Sequence, residues 1–184
     1  MYKVVFSKIS CYAKKNLLMH TKHQVGGTYM ISALNVSNNL INRAKLTGAT
    51  MTPMKLQKLL YFVYARYLFR SNQPLFKERF ATWQFGPVIP EVYKYFESYS
   101  RKNIDDYFVD ENNEIYGAKE TGLFADVLEE VWNKFGQETG IHLSERTHEQ
   151  GAAWSIADER DHDWLNDVDI SKDGRSFFDD LTEQ

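Results

Sequence analysis

Three histidines, His142, His148 and His162, lie among Glu145, Glu149, Asp158, Asp161 and Asp163, a set of side chains able to hold a divalent metal. Their spacing points elsewhere. His142 and His148 are six residues apart, whereas two ligands on one helical face need a separation of three or four. No His-Glu-x-x-His pattern occurs. Capping or surface positions are therefore expected for the histidines, and a metal-dependent hydrolase built on His148 and nearby carboxylates stands as the alternative. Covalent catalysis has less support still. The single cysteine, Cys11, sits in an atypical N-terminal stretch, and no serine occupies a Gly-x-Ser-x-Gly turn. Gly26-Gly27 opens no phosphate-cradling loop. We assign no catalytic residue, no metal and no cofactor.

A binding surface fits the residues better. On the helix that starts at Thr52-Pro53, Lys55, Lys58 and Arg66 share a face with Phe62 and Phe69 when projected at about 100° per residue. Cations interleaved with aromatic rings suit single-stranded nucleic acid or a protein partner. The competing reading is that a neighbouring element covers both rings. A duplex-DNA reader is disfavoured, because the chain is acidic overall and no short-turn helix pair leads into a basic helix. The densest segment runs Pro74-Leu75-Phe76, then Phe80-Ala81-Thr82-Trp83, then Phe85-Gly86-Pro87-Val88-Ile89-Pro90-Glu91-Val92-Tyr93. Two prolines and a glycine fix a rigid corner there, able to present Trp83 and Tyr93.

The elements that must position these residues follow from periodicity. A first helix on Ile31, Leu34, Ile41 and Ala44 ends near Gly48. The second, from Thr52-Pro53 to about Arg70, carries Leu56, Leu59, Leu60, Val63 and Tyr67 on a stripe wide enough for burial on two sides. A third starts at Pro90 and carries Val92, Tyr93, Phe96 and Tyr99. Residues Tyr107–Gly117 read as a hairpin turning at Asn112-Asn113. A fourth helix runs on Phe124, Val127, Leu128, Val131 and Phe135 to a stop at Gly136. Short helices cover Thr139–His148 and Ala152–Glu159, and Ser171 caps a last one bearing Phe177, Phe178 and Leu181. The expected fold is mainly α: a compact single helical domain around a central helix at about 53–70, with one small β-hairpin.

Composition sets the outer bounds. The 184 residues make one domain, and 43% hydrophobic with 26% charged residues excludes a disordered chain. One cysteine excludes a disulfide framework. No apolar run reaches the ~18 residues needed to span a bilayer, so a cytoplasmic location is expected. The charge is lopsided: Met1–Lys77 holds no acid and 12 Lys or Arg, whereas Glu78–Gln184 holds 25 acids and 10 bases. Five of those 12 bases fall in residues 1–29, which lack both an apolar period and a signal-peptide core. Gly26-Gly27 is what a purine-rich ribosome-binding site would spell if read as codons. The expected division is a basic leader over 1–29, upstream of a start at Met30, and one domain over 30–184.

Three motifs in order resemble a known family. Thr52-Pro53-Met54-Lys55-Leu56-Gln57-Lys58-Leu59-Leu60-Tyr61 is similar to its "T-x-x-K-L-Q-K-L-x-Y" helix. Pro74-Leu75-Phe76, Trp83 and Gly86-Pro87-Val88-Ile89-Pro90-Glu91-Val92-Tyr93 resemble its "P-L-F … W-x-x-G-P-V-x-P-x-x-Y". Leu143, Thr147-His148-Glu149 and Trp154 resemble its "L-x-x-x-T-H-x-E-x-P-W". This is the Panacea domain, of SocA-like antitoxins and phage-associated GepA-like proteins, and the resemblance spans about Met30 to Phe178. Ala153 replaces the proline usual before the tryptophan, and Phe80-Ala81-Thr82 stands where many members carry an acid.

The resemblance implies an antitoxin that neutralises a protein toxin encoded beside it by direct binding. Some members deliver the toxin to a protease instead, which adds a protease or its unfoldase as a partner. Family members face unrelated toxins. Contact with the toxin is expected from Lys55, Lys58, Phe62, Arg66, Trp83, Gly86, Pro87, Tyr93 and Trp154. Leu56, Gln57, Leu59, Tyr61, Thr147 and His148 are expected to serve the motif structurally, His148 by tying the C-terminal helices to the core. The acid excess predicts a basic toxin, with nucleic acid disfavoured as a partner and a nucleic-acid binder using the central helix as the other alternative.

Overall fold

Thr52 and Pro53 begin the helix around which the rest is packed. The Thr52 side chain accepts the Lys55 N–H at 3.3 Å, and Pro53 needs no amide partner in the first turn. That helix, α2 (Pro53–Ser71), follows α1 (Ala33–Thr47) and ends at Asn72 in the left-handed conformation. The computed structural model describes residues 31–179, so the basic leader and Leu181 lie outside the described residues. Two short strands come next, β1 (Ala81–Trp83) and β2 (Gly86–Val88). Helix α3 (Pro90–Phe96) runs into a 3-10 turn at Glu97–Tyr99. The chain closes with α4 (Gly122–Phe135), α5 (Gly140–Thr147), α6 (Ala153–Glu159) and α7 (Asp167–Ser176). The fold is mainly α, as expected. No helix among the described residues is long and apolar enough to cross a membrane.

Helix α2 is central because its neighbours surround it. It touches α1, α3, α4, α5, α7 and β2, and Leu56, Leu59, Leu60, Tyr61, Phe62 and Val63 are fully buried. Its closest neighbour is α7, where a Cβ on Gly174 would fall 2.0 Å from the Ala65 carbonyl oxygen. Only glycine permits that approach. Phe62 stacks on Phe135 at 4.4 Å and meets Phe177 edge-on at 5.2 Å, which ties α2 to α4 and to the residues after α7.

Two expectations are corrected. Residues Tyr107–Gly117 do not form the hairpin; the hairpin is β1–β2, paired antiparallel as Ala81 to Val88, Thr82 to Pro87 and Trp83 to Gly86. A turn does form in 107–117, because the Asp110 carboxylate accepts the Asn112 and Glu114 amides at 2.9 and 2.8 Å. Its arms, however, bond to α1 rather than to each other beyond that turn. Asn38 accepts the Phe108 N–H at 2.7 Å and donates to Phe108 O and Tyr116 O; Asn39 accepts the Ala118 N–H at 2.7 Å and donates to Ala118 O. Asn35 donates to Tyr116 O and Asn42 accepts the Tyr107 hydroxyl. Asparagines at 35, 38, 39 and 42 occupy one helical face and take the place of a second strand.

The last helix also starts earlier than expected. Asn166, not Ser171, is the cap and accepts the Asp169 N–H at 3.0 Å. Asp167 and Asp169 in the first turn suit the positive end of the helix dipole, while Ser171 lies mid-helix. Phe177 and Phe178 follow the helix rather than sitting within it.

Candidate partner-binding hairpin

The β1–β2 hairpin turns through Gln84 and Phe85, and side chains from three other elements grip its main chain. The indole of Trp154 on α6 donates to Trp83 O at 2.9 Å. His148, at the end of α5, places Nε2 3.2 Å from Gln84 O, and Ser144 on α5 donates to Phe85 O at 2.8 Å. From α2, Lys58 donates to Pro87 O at 3.0 Å. Gln57 donates to Ile89 O at 3.2 Å and accepts the Ile89 N–H at 2.8 Å, so its amide acts as a strand neighbour beside β2. The outer edge of β1 is covered too: Thr82 N–H donates to Asp163 O, Leu165 N–H to Phe80 O, both at 2.9 Å, and Trp164 bridges to Ala81.

Glycine is required at the base. Gly86 has φ +95°, and a Cβ there would lie 2.6 Å from Thr147 Oγ1 and 2.7 Å from Lys58 Nζ. Residues of all three motifs thus meet at one point. Thr147 turns its hydroxyl to Ser144 O at 2.7 Å. Burial lowers the Lys58 ammonium from its usual range to about 7. His148 directs Nδ1 to Ser144 O at 2.6 Å and lies 3.8 Å from the Trp154 ring. Both of its ring nitrogens lie against main-chain carbonyl oxygens, so the ring is engaged by the end of α5 and by the hairpin turn. Among the described residues no group of three or more His, Cys, Asp or Glu could hold a metal ion.

The rings of the hairpin point outward. Phe85 is 62% exposed, Trp83 40%, Trp164 40% and Tyr93 39%, and Trp83 meets Tyr93 edge-on at 4.9 Å. The structure divides the expected contact residues. Trp83 and Tyr93 lie at the surface, whereas Gly86, Pro87 and Trp154 are buried beneath them. Lys55, Lys58, Phe62 and Arg66 are buried as well, so the basic-aromatic face of α2 is covered rather than open. Lys55 donates to Gly136 O at 2.6 Å; Arg66 bonds Glu130 at 2.8 Å and Gly174 O at 3.2 Å, with the Phe178 ring 4.6 Å away. Burial lowers Lys55 against the opposing pull of Glu138. Phe69, 38% exposed, is the one expected ring of that face near the surface. Leu56, Leu59 and Tyr61 belong to the core.

Beneath α6, the Tyr61 hydroxyl donates to the buried Asp173 carboxylate, which also accepts the Ala153 N–H at 3.1 and 3.2 Å. Burial pushes Asp173 up to about 6 against those hydrogen bonds. The residue that departs from the family pattern here is informative. A proline at 153 would have no N–H to give Asp173. Sequence reading missed Ser144, Phe85 and Trp164 as members of the site. Phe85 lay in the segment read as a rigid corner, Trp164 lay between two expected helices, and Ser144 carries no motif signal at all.

The family described as "Antitoxin SocA-like, Panacea domain" matches residues 56–155. Antitoxin SocA of Caulobacter vibrioides (strain NA1000 / CB15N) is 28% identical over 131 residues, covering 68% of this chain and 70% of that protein. No solved structure matches.

Proposed function

This chain belongs to the SocA-like antitoxin, Panacea domain family, and from that premise we propose that it is an antitoxin acting by direct binding of a protein toxin encoded by a neighbouring gene. The observation that carries the reading is the inward grip on the hairpin main chain coupled to outward display of Trp83 and Tyr93. Ordered aromatic side chains on a rigid support are the usual energetic anchors of protein interfaces. Binding covers the toxin's working surface; delivery to a protease or its unfoldase is the variant of this reading in which the same contact tethers the toxin.

The test is co-expression with the neighbouring gene, scored by growth. Trp83→Ala or Tyr93→Ala abolishes protection while leaving the chain folded, its melting temperature lowered by no more than about 8 °C through loss of their edge-on contact and partial burial. Protection that survives both changes removes the hairpin from the interface. Degradation of the toxin only when the antitoxin is present distinguishes delivery from simple covering.

A further inference from the structure

Four large rings, Trp83, Phe85, Tyr93 and Trp164, stand exposed around one hairpin, and a stable fold gains nothing from leaving them in water. What could cover them is constrained by the main chain. The outer edge of β1 is taken by residues 163–165, and that of β2 by Gln57 and Lys58. Strand addition is therefore closed to a partner, and recognition falls to side chains.

Charge says which side chains. The segment that covers β1 arrives through Asp158, Glu159, Asp161 and Asp163, all exposed, with Arg160 the only base among them. Among the described residues no ion pair reaches these four carboxylates. One ring already shows the chemistry: the Arg79 guanidinium lies 5.3 Å from the centroid of Trp164. Among the described residues no cation lies over Trp83, Phe85 or Tyr93. An aromatic face bordered by unpaired carboxylates attracts cations over its rings and repels phosphate.

We infer that the hairpin face formed by Trp83, Phe85, Tyr93 and Trp164, with the acidic run Asp158–Asp163 beside it, docks a basic segment of the toxin, whose arginine or lysine side chains lie on the rings and against the carboxylates. This rests on the antitoxin reading for the identity of the partner, but the surface can be tested without it. The purified full chain is titrated with octa-arginine, octa-glutamate, a single-stranded DNA oligonucleotide and the neighbouring gene's product, at low and at physiological salt. The variants are Trp164→Ala and the double reversal Asp161→Lys with Asp163→Lys, whose side chains are exposed; the bonds to β1 in this segment run through the Asp163 carbonyl and the Leu165 amide of the main chain.

The wild-type chain binds octa-arginine and neither acidic probe, and each variant weakens binding of octa-arginine and of the gene product by about tenfold. Preference for octa-glutamate or for DNA overturns the assignment. So does unchanged binding of the gene product by the double reversal. If octa-arginine binds through these residues but the gene product does not bind at all, the surface stands and the antitoxin reading fails.

Discussion

Lys58 is a lysine with almost no water around it, placed where the motif helix meets the hairpin. It is fully buried, donates to Pro87 O, and would collide with any side chain at position 86. Desolvation lowers it from 10.5 to about 7 in the folded chain. In the unfolded chain it keeps its proton up to the ordinary lysine range, so between those two values the unfolded state binds more protons. Stability therefore rises with pH from about 7 to about 10.5, by on the order of 1 kcal/mol per unit. Lys58→Met removes that slope. Chemical denaturation at several pH values between ~7 and ~9.5 checks it, since a slope unchanged in the methionine variant places its origin elsewhere. The sequence marks Lys58 as part of a cationic face, because helical projection cannot know which neighbours arrive. Covering that face takes the turn after α4 and the residues after α7, both distant in sequence.

Helices were legible wherever an apolar period ran into a stop, as for α1, α2 and α4, with a cap as a third signal at α2. The strands were not. Tyr107–Gly117 carries good turn residues, but a hairpin needs its arms to pair, and α1 supplies asparagine amides that satisfy them instead. β1 and β2 are three residues each, too short to show alternation, and their stability comes from side chains of α2, α5 and α6. Gly86 is the residue on which this element turns. Gly86→Ala puts a methyl group between Thr147 and Lys58 at a positive φ, and should cost about 2–4 kcal/mol, roughly 5–12 °C in melting temperature for a chain of this size. Protection in the co-expression assay falls with it. A variant that melts as the parent does would show that the base of the hairpin can relax.

Across the whole molecule the uneven charge takes on a spatial meaning. From Met30 onward the chain carries 25 acids and 17 bases, and Lys55, Lys58 and Arg66 are spent inside the fold, on carbonyl groups and on Glu130. Exposed acids remain, and under the proposed antitoxin reading they would draw a basic toxin from a distance. The association rate with the neighbouring gene's product should fall about tenfold between low and high salt, while dissociation changes little. Stopped-flow mixing at several ionic strengths checks this, and a rate indifferent to salt rejects the basic partner. The net charge was legible at once; where it lay was not, because pairing depends on which bases the fold buries. The closed edges of the hairpin have a last consequence. Mounting and display are carried by different atoms: main-chain groups face inward to fixed partners, and only the outward side chains are left for the toxin contact we propose. Replacing a few exposed rings would retarget the module without disturbing its support, so one scaffold can serve many unrelated opponents.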